Sequence, residues 1–62
     1  MDQEKKAKFM RIYSNLPINL RSEIISVING EPITWNVAYL EINKETELGG
    51  KILKNLSLLG LL

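Results

Sequence analysis

Cysteine and histidine are both absent from this chain of 62 residues. Without them there is no disulfide, no thiolate or imidazole ligand and no imidazole base. These absences exclude the common zinc sites and most nucleophile–base pairs of enzymes. We therefore assign no catalytic, cofactor-binding or metal-ligating residue, and we expect a protein that is not an enzyme and holds no cofactor.

The remaining groups that could perform acid–base chemistry are carboxylates on predicted polar faces or loops. A catalytic pair needs surroundings that push two pKa values apart, whereas water around an exposed carboxylate keeps its pKa ordinary. We interpret these side chains as solvated charges: Glu23, Glu31, Glu41, Glu45 and Glu47. No small-molecule substrate can be identified from them.

Neither sign of charge dominates, since eight basic and seven acidic residues give a net charge of +1. Dedicated nucleic-acid domains are usually strongly basic, so binding to nucleic acid is not the favoured function. One basic patch nevertheless stands near the N-terminus, diluted by Asp2 and Glu4: Lys5, Lys6, Lys8 and Arg11. We interpret it as a solvated helix face and keep a small regulatory nucleic-acid-binding or antitoxin-like protein as the alternative function.

The stretch YSNLPINLRSEII, residues 13–25, resembles the Leu-Pro opening of small antitoxin-type helical proteins. It covers a short part of the chain, and Leu-Pro before a helix is common. The resemblance identifies no family.

Long apolar runs are also missing. The longest apolar stretch is LSLLGLL at residues 56–62, while a helix that crosses a bilayer needs about 20 residues. The N-terminal MDQEKKAKFM mixes acids and bases and has no apolar centre typical of a secretory signal. We expect one small helical domain over residues 1–62, cytoplasmic and without a membrane span.

Two helices are predicted in the first half of the chain. Phe9, Ile12, Tyr13 and Leu16 recur at the spacing of one helix face, which predicts a helix over residues 3–15 before Pro17. Apolar residues at helical spacing then predict a second helix that begins at Asn19 and ends at Asn29: Leu20, Ile24, Val27 and Ile28. Gly30 would take the left-handed conformation after it.

The stretch VINGEPITWN, residues 27–36, supports two incompatible structures. Asn-Gly before Pro can end a helix, and Thr34 can cap a third helix that continues through Ile42. Asn-Gly between apolar runs is also the strongest short signal for a hairpin, which here would pair Ile28 with Glu31 and Val27 with Pro32. Residues 33–42 can therefore be helix or strand, and we favour the helix.

A last helix is predicted to begin at Thr46 and stop at Gly60, although Gly49-Gly50 near its start lowers its helix propensity. A phosphate loop is not supported at these glycines because the rest of that motif is missing. Glycine there instead predicts close approach of another segment.

The predicted fold is all-α, a small irregular or orthogonal bundle of four helices. Its predicted core is Leu16, Ile24, Ile28, Trp35, Tyr39, Ile42, Ile52 and Leu56. The alternative is an α+β fold with a hairpin at residues 24–39 flanked by helices.

The C-terminal leucines exceed what one four-helix core of this size would cover. Leu58 lies off the core-facing stripe, and Leu61 and Leu62 follow Gly60. Exposed apolar patches usually mark an interface, although a tail folded back on its own core explains these residues equally well. The favoured function is a non-enzymatic protein–protein interaction module, with a homodimer as one form and Leu58, Leu61 and Leu62 as its interface.

Overall fold

The computed structural model describes all residues, 1–62, and shows an α+β fold with three helices and one hairpin. Helices and strands follow in the order α1 (Gln3–Ser14), β1 (Ile24–Ile28), β2 (Glu31–Thr34), α2 (Trp35–Asn43) and α3 (Glu47–Leu58), with a single 3₁₀ turn at Ile18–Leu20. The prediction of an all-α bundle of four helices is therefore wrong. The α+β alternative is closer to the structure, although the observed hairpin ends at residue 34 and the predicted one ended at residue 39.

The first helix is the one predicted, within one residue at its end. Asp2 caps it, since its carboxylate accepts hydrogen bonds from the N–H groups of Glu4 and Lys5 at 3.1 Å. The helix ends at Ser14, and Phe9 is its fully buried side chain. Ile12, which was expected on the same buried face, is exposed.

The predicted helix over residues 19–29 is replaced by the 3₁₀ turn and β1. Asn29 and Gly30 have φ angles of +52° and +81°, the conformation of a two-residue type I′ turn that joins antiparallel strands. The left-handed conformation of these two residues therefore forms a hairpin turn and does not end a helix. The register is the one that the hairpin alternative required, with Ile28 opposite Glu31 and Val27 opposite Pro32.

A β-bulge alters the usual alternation of side chains along β1. The register pairs Ser26 with Ile33 but Ile24 with Thr34, so Ile25 is the extra residue. Ile25 consequently packs against the core beside the buried Ser26, while Ile24 is left outside. The prediction that Ile24 lies in the core is therefore wrong.

The two remaining helices begin where their capping residues predicted. The Thr34 hydroxyl accepts from Val37 N–H at 3.2 Å, and the Thr46 hydroxyl accepts from Gly49 N–H at 3.0 Å. Glu45, between the helices, has a φ of +54° and forms an ion pair with Lys6 of α1 at 2.7 Å. This ion pair ties the N-terminal helix to the connection between α2 and α3.

The core lies where all three helices meet the inner face of the hairpin. Ile42, Ile52 and Leu56 are buried as predicted, whereas Ile28, Trp35 and Tyr39 are half-buried at its margin. The buried apolar side chains are Phe9, Ile33, Ala38, Ile42, Ile52, Leu53 and Leu56. A core of seven such residues is small, as expected for a chain of this length.

All four aromatic residues of the chain belong to one cluster. The Tyr13 and Tyr39 rings stack with centroids 4.4 Å apart, and Phe9 lies 6.3 Å from Tyr13 and 5.8 Å from Trp35. The Arg21 guanidinium lies 4.4 Å above the Tyr13 ring centroid, and its Nη2 donates to the Tyr13 carbonyl. The cluster joins α1 to α2 and leaves no aromatic ring unpartnered.

Candidate interaction surface

The structure offers no enclosed place for a small molecule or a metal ion. It contains no pocket, and no three acidic, histidine or cysteine side chains come together as a metal site would require. No helix is both long enough and apolar enough to span a membrane.

Among the carboxylates, Glu45 is set apart by its partners. Its side chain accepts hydrogen bonds from Lys6 at 2.7 Å and from Gln3 at 3.3 Å. The hydrogen bond from Lys6, followed by the one from Gln3, lowers the pKa of the Glu45 carboxyl. An acid held in its charged form in this way stabilises the contact between α1 and the α2–α3 connection.

The last turn of α3 carries apolar side chains into water. Leu58 is 77% exposed and Leu59 is 60% exposed. Gly60, with a φ of +78°, then reverses the chain in a Schellman motif, in which its N–H donates to the Ser57 carbonyl and Leu61 N–H donates to the Leu56 carbonyl. The helix therefore stops at the predicted glycine.

The tail beyond this motif divides between the surface and the core. Leu61 is 51% exposed, whereas Leu62 packs against the buried cluster. The interface predicted from the sequence was inferred from a four-helix core that the protein does not have. In the observed fold, Leu58 and Leu61 are exposed, and Leu59 is exposed beside them. Leu62 packs against the core.

A second apolar surface lies on the outer face of the hairpin and was not predicted. Val27 is 61% exposed and pairs across the strands with the exposed Pro32, while Ile24 on the same strand is 60% exposed. The signal for it was present in the hairpin alternative, because pairing Val27 with Pro32 places both on one face of the sheet.

The last turns of α3 lie against the inner face of β1, because Ser26 and Val27 are consecutive and point to opposite faces of the strand. The Ser26 hydroxyl and the Asn55 side chain are hydrogen-bonded, which places the last turns of α3 against that strand. Leu59 is four residues after Asn55 and its N–H donates to the Asn55 carbonyl, so it lies on the same side of the helix one turn along. We call the exposed residues of the last turn and tail, Leu58, Leu59 and Leu61, the leucine end.

The N-terminal basic patch is partly neutralised by carboxylates. Lys6 is paired with Glu45 at 2.7 Å, and Lys5 lies 4.0 Å from Asp2. Lys8 and Arg11 are exposed and form no ion pair. Phe9 and Tyr13, the aromatics interleaved with these charges, belong to the internal cluster, so no ring is available beside the patch to stack on a base.

The chain matches no family model, and no curated protein and no solved structure is significantly similar to it.

Proposed function

We propose that this protein is a non-enzymatic interaction module that associates with a second copy of itself through the leucine end, and that it works in the cytoplasm. The supporting observation is the exposure of Leu58, Leu59 and Leu61 at the C-terminal end of α3 and just after it. Fully burying one leucine side chain contributes about 1.5–3 kcal/mol of favourable free energy, so burial of these leucines in an interface would favour association.

The overall charge of the protein does not oppose association with a second copy. The net charge of +1 gives two copies almost no mutual repulsion. Two-fold dimers are the commonest assembly of soluble proteins, and they bring the same patch of each copy together. Chains of this size also gain stability from association, since their own cores are small.

The test is the mass in solution as a function of concentration, measured by sedimentation equilibrium. We expect a monomer–dimer equilibrium for the natural sequence, and we expect Leu58→Lys and Leu61→Lys to weaken association at least tenfold, about 1.4 kcal/mol. Lysine is a good helix former and is favourable near a helix C-terminus, so Leu58→Lys preserves α3.

Leu40→Lys is the matched control. Leu40 is 50% exposed on α2 and lies outside both apolar surfaces, so the same change there should leave association intact. A protein that stays monomeric at about 1 mM, the concentration that detects even weak dimers, contradicts the proposal. Removing Leu61 and Leu62 is a poorer test, because Leu62 packs against the core and its loss would also destabilise the fold.

Binding to nucleic acid through the basic patch stays a prediction without an observation in its favour. A salt-dependent shift with single or double strands would support it, because binding to phosphates weakens steeply with salt.

A further inference from the structure

The outer edge of β1 carries backbone groups without hydrogen-bond partners. Beyond a two-residue turn, Ile28 and Glu31 form the hydrogen-bonded pair next to the loop, and Val27 and Pro32 form the following non-hydrogen-bonded pair. The N–H and C=O of Val27 therefore point away from β2. No hydrogen bond outside the hairpin ladder involves the backbone of residues 24–28.

The two edges of this hairpin differ in what they can accept. On β2 the outward position is Pro32, which has no N–H to donate, so that edge cannot complete a ladder. The β1 edge has both groups at Val27, and its sequence IISVI contains no charged side chain. Charged residues, above all lysine, and proline commonly protect an edge strand, and β1 has neither; its protective feature is the β-bulge at Ile25, which leaves residues 26–28 regular.

We propose that β1 pairs antiparallel with β1 of a second copy about a two-fold axis at Val27, joining the two hairpins into one four-stranded sheet. This inference rests on the proposed function and specifies how the two copies meet. Each Val27 N–H donates to the Val27 carbonyl of the other copy, so both open groups are satisfied by the same residue.

The β-bulge explains why the occupant is a second copy and not a long foreign strand. The regular part of the edge is limited to residues 26–28, because the extra residue Ile25 disrupts the ladder before it. In the two-fold arrangement only residues 26–28 of each copy pair, and each bulge falls beyond the other copy's regular segment. A longer strand would have to continue across the bulge.

The same arrangement aligns apolar side chains on the outer face. Val27 and Pro32 are cross-strand neighbours, so the four-stranded sheet carries a row of Pro32, Val27, Val27 and Pro32 from the two copies. An isolated pair of strands is marginal in water, whereas three or more strands with an apolar face are stable. Pairing of the two β1 strands would therefore also stabilise the hairpin of each copy.

Buried area requires that the leucine end takes part as well. A standard interface buries about 800 Å² on each partner, which compares with a total surface of 4069 Å² for one copy. Three paired residues cannot supply that area. The helix that carries the leucine end lies against β1 through the contact between Ser26 and Asn55, so its exposed leucines are apolar surface that can add to the paired strands.

Amide hydrogen exchange and NMR on the natural protein test the pairing directly. We expect the Val27 amide to become protected as concentration rises, because it is open in a single copy. Mixing labelled and unlabelled protein should give a cross-peak between the Hα atoms of Ser26 and Ile28 of different copies, since they form non-hydrogen-bonded pairs with Cα atoms about 4.5 Å apart.

A chemically synthesised chain with an N-methyl group on Val27 removes the open donor without touching the hairpin ladder. We expect it to fold and to associate at least tenfold more weakly, while Leu40→Lys associates normally. A dimer in which the Val27 amide stays unprotected, or which tolerates the N-methyl group, overturns this inference and leaves self-association through the leucine end standing. A chain that is monomeric throughout overturns both.

Discussion

Two adjacent glycines in α3 have different roles at the scale of single residues. A Cβ atom at Gly49 would lie 2.6 Å from the carbonyl carbon of Glu41 and 2.9 Å from the nitrogen of Ile42, in the backbone of α2. At Gly50 it would meet nothing within 4 Å. The close approach that the sequence suggested for this pair is therefore present at Gly49 alone.

Alanine at these two positions should change stability in opposite directions. We expect Gly49→Ala to lower the free energy of unfolding by about 1–3 kcal/mol, because α2 and α3 must move apart. Gly50→Ala should raise it by up to about 1 kcal/mol, the usual advantage of alanine over glycine within a helix. Urea unfolding measures both, and equal effects of the two changes would contradict the contact at Gly49.

Glu45 makes stability depend on pH in a defined direction. Its pKa is lowered in the folded protein by the hydrogen bonds from Lys6 and Gln3, so the folded state favours the charged carboxylate more than the unfolded state does. The stabilisation is complete above the ordinary pKa of the unfolded carboxyl and is lost as pH falls through the lowered pKa of the folded form.

The corresponding measurement is urea unfolding of the natural protein and of Glu45→Gln from neutral to acidic pH. The natural protein should be the more stable at neutral pH, and the difference should shrink in acid as Glu45 protonates. Glu31→Gln, at an exposed position without an ion pair, serves as the control. A difference that does not change with pH would show that the contact with Lys6 contributes nothing.

At the scale of helices and strands, the error over residues 19–29 has a physical cause. Leu20, Ile24 and Val27 recur at helical spacing, and in the structure all three are exposed. The bulge at Ile25 produced the pattern, since it interrupts the two-residue alternation that identifies a strand. Ile24 and Val27, which are exposed on β1, therefore had the spacing of a buried helix face, and Ile28, which does pack against the core, completed the pattern.

Elements with a local capping signal were predictable. Thr34 and Thr46 each have a hydroxyl that satisfies a free N–H at the start of a helix, and Gly60 provides the left-handed stop. The excess of leucine predicted an interface of Leu58, Leu61 and Leu62; Leu58 and Leu61 are exposed, Leu62 packs against the core, and the interface stays a prediction. The outer face of the hairpin could be predicted only from the pairing of the two strands. The Asn-Gly signal at residues 29–30 fits both a hairpin turn and the end of a helix, so it did not decide between the two structures.

The turn itself provides a test of the hairpin. Gly30 has a φ of +81°, a conformation that costs an alanine roughly 1–2 kcal/mol. Gly30→Ala should destabilise the protein by about that amount and reduce the cross-strand NMR contacts between Ile28 and Glu31. Gly50→Ala, which makes the same chemical change on a helix, is the comparison, and a Gly30→Ala protein as stable as the natural one would contradict the type I′ turn.

At the scale of the whole molecule, one copy is as compact as a folded monomer of its size. Its surface of 4069 Å² agrees with about 4,100 Å² expected for a folded monomer of this mass. Its radius of gyration of 10.4 Å agrees with about 10.6 Å for a compact chain of this length. The proposed association through the exposed leucines and the β1 edge would therefore join two copies that are each compact.

Association of this kind makes thermal stability depend on protein concentration. When the dimer predominates, a tenfold rise in concentration stabilises each copy by about 0.7 kcal/mol through mass action. For a domain of this size that should raise Tm by about 3–5 °C. Calorimetry across a hundredfold range of concentration should show the shift for the natural protein and for Leu40→Lys, and a smaller shift for Leu58→Lys, whose association is weaker. A natural protein whose Tm is constant over that range behaves as a monomer, which would contradict both the leucine end and the β1 edge as sites of self-association.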